Sequence, residues 1–113
     1  AAAMYDCELK IRAMGRAQSA NSDPDLAARV EEVALAIGGF KVRPPEPVGG
    51  SEDITYMMER VQANGGLATN IGVGASLGGW GHHTAEFDFD ERVLACATKL
   101  LSVLAVELAY SRE

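Results

Sequence analysis

The chain is 113 residues long, enough for one modest domain, and with 48% apolar and 23% charged residues it has the composition of a folded protein. Sixteen acidic against ten basic residues leave a net charge of −6, which is the wrong sign for a phosphate backbone and argues against nucleic acid as a partner. Cys7 and Cys96 stand far apart with no CxxC, which excludes a zinc ribbon or a disulfide-stapled fold, and the longest apolar run, Val93–Val106, is broken by Thr98, Lys99 and Ser102 and falls short of the ~20 residues of a membrane span.

The first periodic segment is Tyr5–Ala13, where apolar and charged residues alternate. Period two places Tyr5, Cys7, Leu9 and Ile11 on one face and Asp6, Glu8, Lys10 and Arg12 on the other, which predicts a strand over 5–14 with one wet face. Asp23-Pro24 reads as an N-cap and first helical residue, and Leu26, Val30, Val33, Ala34 and Ile37 recur at helical spacing up to Gly38-Gly39. A helix over 24–37 is predicted. Residues 40–50 hold Pro44, Pro45, Pro47 and Gly49-Gly50 and read as loop, with a possible short strand at 40–43. Ser51 caps a second predicted helix, 52–64, whose stripe is Ile54, Met57, Met58 and Val61 and whose stop is Gly65-Gly66. A strand over 67–73 follows, then a glycine-rich loop: seven of the twelve glycines fall between Gly65 and Gly81. That density lets backbone approach a ligand or another chain. Asp88-Phe89-Asp90-Glu91 has the form of a capping box before a third helix, 91–110, apolar nearly all round and so expected to be a buried central helix. The pattern is α/β. No basic segment followed by an apolar run opens the chain, so a cytoplasmic location is expected; the start at Ala1-Ala2-Ala3 suggests an excised piece of a longer protein.

Three groups of residues carry candidate chemistry. His82 and His83 are the only imidazoles and sit at the end of the glycine-rich loop. An imidazole ligates metal or moves protons near neutral pH, but a catalytic metal takes about three protein ligands and nothing else in the sequence completes a set. Gly49-Gly50-Ser51 opens a helix and offers backbone donors to an anion, or is simply a cap. The acids Glu86, Asp88, Asp90 and Glu91 suit helix-dipole stabilisation better than acid–base work. Cys7 and Cys96 lie on apolar faces and are expected to be inert, buried thiols, and Met57 and Met58 to be core packing.

Taken together, Gly50–Gln62, about thirty residues further His-x-x-x-Phe-Asp-Phe-Asp-Glu within Gly81–Glu91, and then a long apolar helix resemble the C-terminal part of the aminoacylase/carboxypeptidase-type metallohydrolases. This is the amidohydrolase family that cleaves N-acyl amino acids. The resemblance implies a partial α/β catalytic domain over 19–113, preceded over 1–18 by the last strand of an inserted lid domain. It implies a metal ligand four residues before the aromatic Phe87, which is His83. Many relatives read His-His-Pro there with the first histidine in register, whereas His83 is followed by Thr84-Ala85, so His82 is the alternative. Gly50 and Ser51 would line the substrate pocket. The intact enzyme would use zinc or manganese on an N-acyl-glutamate-type substrate, with an upstream glutamate taking the proton from water.

The excised chain, lacking the upstream ligands, would hold no metal and be inactive. It would also have lost the neighbours of its first strand, so a homo-oligomer with Tyr5–Ala13 in the interface is expected, and the parent has a possible homologous second subunit. The competing reading is a free-standing acidic protein-interaction module without catalysis. A small enzyme with a histidine base is disfavoured, since no nucleophile or orienting partner stands at definable spacing.

Overall fold

The computed structural model describes residues 1–46, 52–79 and 81–110. Three α-helices occupy them: α1, Pro24–Ile37; α2, Ile54–Ala63; and α3, Arg92–Tyr110. A 3-10 turn, Ala2–Tyr5, precedes them. Among the described residues there is no β-ladder longer than a single antiparallel bridge, Leu77 to Phe89.

The helices begin and end where local chemistry dictates. Pro24 stands at the first position of α1, where its missing N–H costs nothing. The N-cap is Asp23, but its carboxylate makes no bond to its own helix. α2 begins two residues later than expected, with Thr55 Oγ1 donating to the Glu52 carbonyl at 2.7 Å. Its end is a Schellman motif. Gly65, at φ 78°, lets the Gly66 amide reach the Val61 carbonyl at 3.0 Å while its own amide reaches Gln62 at 2.9 Å. α3 runs to Tyr110, past Val106, and by length and composition it is long and apolar enough to cross a membrane. The apolar run counted along the sequence falls short of this because it ends before Glu107.

One small core exists. Val33 and Ala34 of α1 meet Leu100 and Leu104 of α3, with Val30, Ile37, Phe40, Ile71 and Val103 around them. Leu100 and Leu104 lie one turn apart, and Val30, Val33, Ala34 and Ile37 share one face of α1, so each helix buries one stripe. At the rim Arg29 of α1 pairs with Glu32, at 2.9 Å, and with Glu107 of α3. Both pairs are solvent-exposed enough to be screened, so they add little to the core contact. Ile54, Met57, Met58 and Val61 of α2 face Leu26 and the 67–69 segment across an open cavity of about 260 Å³.

The expected buried helix is therefore covered on one side only. Leu100 and Leu104 are buried, while Leu94, Leu101, Val106 and Leu108 face out. Cys96 and Cys7 are both exposed, contrary to expectation, because none of the described residues covers the outer side of α3 or the apolar face of 5–13. Tyr5 belongs to the 3-10 turn, and Asp6, at φ 54°, breaks the alternation. Residues 7–13, 40–43 and 67–73, the three strand candidates, are assigned no ladder. A strand is stabilised by its neighbours, and among the described residues none lies alongside. The Cα radius of gyration is 19.7 Å, against about 13 Å for a closed globule of this length. The accessible surface is 9720 Å², against roughly 6,000 Å² for a compact protein of this mass.

Two substitutions test this account. Leu104→Ala should cost ~2–4 kcal/mol and part α1 from α3, read as loss of amide protection in both helices together. Gly65→Ala forces an alanine to φ 78° and should destabilise α2 by ~1 kcal/mol, lowering the midpoint of the helical circular-dichroism transition. An unchanged midpoint would show that the motif does not hold the helix end.

Candidate functional site

The histidines lie in a loop tied at its base. The Leu77–Phe89 bridge brings its two ends together, with the Asp90 amide donating to the Ser76 carbonyl at 3.0 Å and the Gly78 amide to the Asp88 carbonyl at 3.4 Å. At the tip, Thr84 Oγ1 donates to the Gly81 carbonyl at 3.0 Å and the Phe87 amide to the Thr84 carbonyl at 3.2 Å. His83 adopts φ 64°, a left-handed conformation that histidine tolerates better than most side chains. This separates the pair. The His82 ring lies 5.2 Å from that of Phe87, which lies 6.0 Å from that of Phe89. The His83 ring is 6.5 Å from His82 and both histidines are exposed.

The loop joins α3 through Asp90. Its carboxylate accepts from the Arg92 amide at 3.1 Å and from Arg92 Nε at 2.8 and 2.9 Å. Asp90 is thus the acid that caps α3, and Asp88 turns instead to the Phe89 amide at 2.8 Å. Arg92 holds the Asp90 carboxyl down at about 2 through its guanidinium and its amide. The acidic run is structural at this position, as the helix-start reading expects.

A second feature lies by the start of α2. An open cleft of about 540 Å³ is bounded by Gln18, Ser19, Asn21, Ser22, Glu46, Glu52, Thr55 and Asn70 among others. The residues expected to line the substrate pocket, Gly50 and Ser51, lie outside the described residues, as does Ser51's expected cap. The walls are held by side chains that sequence reasoning passed over. Asp23 Oδ2 accepts from the Ala68 amide at 2.7 Å and from Gln62 Nε2 at 2.8 Å, and the Asp23 amide donates to the Ala68 carbonyl at 2.9 Å. The Ala68 amide first and Gln62 second hold the Asp23 carboxyl below the usual carboxylate range. Ser22 Oγ accepts from the Asn70 amide, Gln62 also donates to the Asn21 carbonyl, and Tyr56 Oη donates to the Arg16 carbonyl at 2.6 Å. Asp before Pro at a helix start signals a cap; nothing local in the sequence signals that the carboxylate serves a segment 45 residues away.

As a metal donor, the loop fits in kind and not in number. An exposed imidazole suits zinc. Among the described residues, however, no group of three His, Cys, Asp or Glu side chains gathers to complete a site.

Comparison with known proteins gives three relatives. The chain is 40% identical, over 99% of its length, to an indole-3-acetyl-aspartic acid hydrolase from Enterobacter agglomerans. It is 37% identical over 99% of its length to one subunit of the p-aminobenzoyl-glutamate hydrolase of Escherichia coli K12, and 35% identical over 92% to a homolog of that subunit from Haemophilus influenzae. The chain spans about a quarter of the length of each, 24–26%. No family model and no solved structure matches it. The resemblance to amidohydrolases carried by the two motifs is thus shown: the chain is related in sequence to a segment of these hydrolases.

The cap generates a pH prediction. The folded Asp90 carboxyl titrates below its ordinary 3.8, so its contribution is fully present above pH ~4 and is lost as pH falls through about 2. Carboxyl NMR should give Asp90 a midpoint near 2 and show the first turn of α3 fraying over that interval. Asp90→Ala should abolish the acid-dependent fraying, and a midpoint at the ordinary value would contradict the cap.

Proposed function

We propose that the complete protein carrying this segment is a metal-dependent amidohydrolase that cleaves the amide of an N-acyl amino acid. The supporting observation is similarity along 99% of the chain to two hydrolases at 37–40% identity. Their names share one chemistry. Indole-3-acetyl-aspartate and p-aminobenzoyl-glutamate are both aromatic acyl groups on a dicarboxylic amino acid. We favour p-aminobenzoyl-glutamate, cleaved to p-aminobenzoate and glutamate.

In this proposal the segment supplies one metal ligand, His83, and the remaining ligands and the proton acceptor come from elsewhere in the complete protein. A zinc or manganese ion held by His83 and those other ligands would supply polarisation of the scissile carbonyl and a lower pKa for water. The loop's part is to present the His83 imidazole from a turn tied at Leu77–Phe89. Gly50 and Ser51 belong to the substrate pocket in this reading. The described strand candidates join an α/β sheet there, with 1–18 reaching a lid domain and 19–113 forming the C-terminal part of the catalytic domain. A cytoplasmic location, self-association through Tyr5–Ala13 and a homologous second subunit belong to the same reading. On this reading the 113-residue chain alone does not hydrolyse the substrate, since the remaining ligands and the proton acceptor lie elsewhere in the complete protein.

In the complete protein, His83→Ala should remove most hydrolysis of p-aminobenzoyl-glutamate and deplete bound metal. Calorimetric titration of the isolated chain with zinc should show no strong site, since one imidazole supplies too few ligands. A sub-micromolar site in one copy of the chain would contradict this assignment. Light scattering of the isolated chain should give a dimer or larger; a monomer with sharp, cooperative unfolding would favour the interaction module.

A further inference from the structure

The open cleft beside α2 carries charge of one sign, and that sign selects which end of a substrate it can take. The premise is the amidohydrolase reading above, in which Gly50 and Ser51 belong to the substrate pocket; Glu46 and Glu52, which line the cleft, flank that pair in sequence. At about 540 Å³ the cleft falls within the ~300–1,000 Å³ of small-molecule sites. No Lys, Arg or His stands among its described lining residues, and residues 47–51 are uncharged in sequence. Among the described residues, neither Glu46 nor Glu52 has a cation within ion-pair distance. Ionised carboxylates only accept hydrogen bonds. Thr55 adds a further acceptor, because its hydroxyl proton is spent on the Glu52 carbonyl at 2.7 Å. Beside these acceptors stand Pro45, Ile54 and Met58, the last only 5% exposed. The rim is pinned across the chain: the Asn70 amide donates to Ser22 Oγ at 3.3 Å, and Gln62 Nε2 to the Asn21 carbonyl at 2.8 Å.

An N-acyl glutamate has two chemically opposite ends. The amino-acid end carries two carboxylates, which call for cations and are repelled by acids. The p-aminobenzoyl end is a flat apolar ring bearing an amine with two N–H donors. We propose that the cleft takes the aromatic acyl end, with the ring against Pro45, Ile54 and Met58 and the amine donating to Glu46 and Glu52. These two acids then set a preference for acyl groups that carry an aryl N–H, since bonds to an ionised acceptor are about twice as strong as neutral ones.

The experiment measures kcat/KM of the complete protein on p-aminobenzoyl-glutamate and on benzoyl-glutamate, which lacks the amine. The ratio of the two, taken on one preparation, is independent of how much of that preparation is folded. The parent should prefer the arylamine ~10-fold or more. In the Glu46→Ala, Glu52→Ala double variant that preference should shrink to within about threefold of unity. A parent that hydrolyses both substrates equally well overturns the inference and leaves the amidohydrolase reading standing. So does a double variant that keeps the full preference. The third substrate is p-aminobenzoyl-glutamine, which lacks one carboxylate. If the double variant changes the choice between glutamate and glutamine instead of the choice between acyl groups, the cleft holds the amino-acid end and the assignment is wrong. Hydrolysis of none of the three overturns the amidohydrolase reading itself, and this inference with it.

Discussion

The carboxylate of Asp23 joins three parts of the chain at one point. The Asp23 amide and Oδ2 clamp both polar groups of Ala68, Oδ2 also accepts from Gln62 of α2, and the Asp23 carbonyl accepts the Ala27 amide at 3.0 Å to begin α1. Three elements distant in sequence thus meet at one residue. The segment after α2 is held against the entry to α1, which places Ile71 beside the Val33–Leu104 core and Asn70 at the edge of the cleft. A charged acceptor is suited to this role because hydrogen bonds to an ionised oxygen are about twice as strong as neutral ones.

The same clamp explains which parts of the fold were legible in the sequence. Helices are local: Asp23-Pro24, Gly38-Gly39 and Gly65-Gly66 mark boundaries through cap chemistry that acts within a few residues, and the observed ends fall within two residues of those marks. Strands are not local. Tyr5–Ala13 alternates cleanly, but alternation states only which face wants burial, and Leu9 and Ile11 stay exposed with no neighbour to bury them. The expectation of α3 as a buried helix failed in the same way. Its apolar circumference shows what the helix needs, and α1 meets only the Leu100–Leu104 stripe. The site was legible as residue types and order. Its geometry was not, since the left-handed turn at His83 and the ring contact of His82 with Phe87 depend on a bridge between Leu77 and Phe89 that no periodicity announces.

Uncovered apolar surface is the common theme of what remains. Met57 and Val61 of α2, Leu101 and Val106 of α3, and Leu9 and Ile11 before α1 are all exposed. At roughly 25 cal/mol per Å² such surface is costly to leave in water. The chain spans about a quarter of its relatives' length, and the proposal that it works within a longer protein accounts for this surface without inventing a new partner.

The Asp90 cap has a mechanical side. The histidine loop hangs from the N-terminal end of α3, and the helix is held against α1 at Leu100 and Leu104, with Glu107 pairing to Arg29 further along. From Leu100 back to Asp90 is ten residues, roughly 15 Å at ~1.5 Å per residue. α3 is therefore a lever with its fulcrum in the α1 contact. A tilt of about 4° at that fulcrum carries the loop about 1 Å, a displacement of the size that costs ~100-fold in rate when it misplaces a reacting group. Substitutions at Val33 or Ala34, far from any histidine, would thus be felt at the loop as misalignment and not only as lost stability.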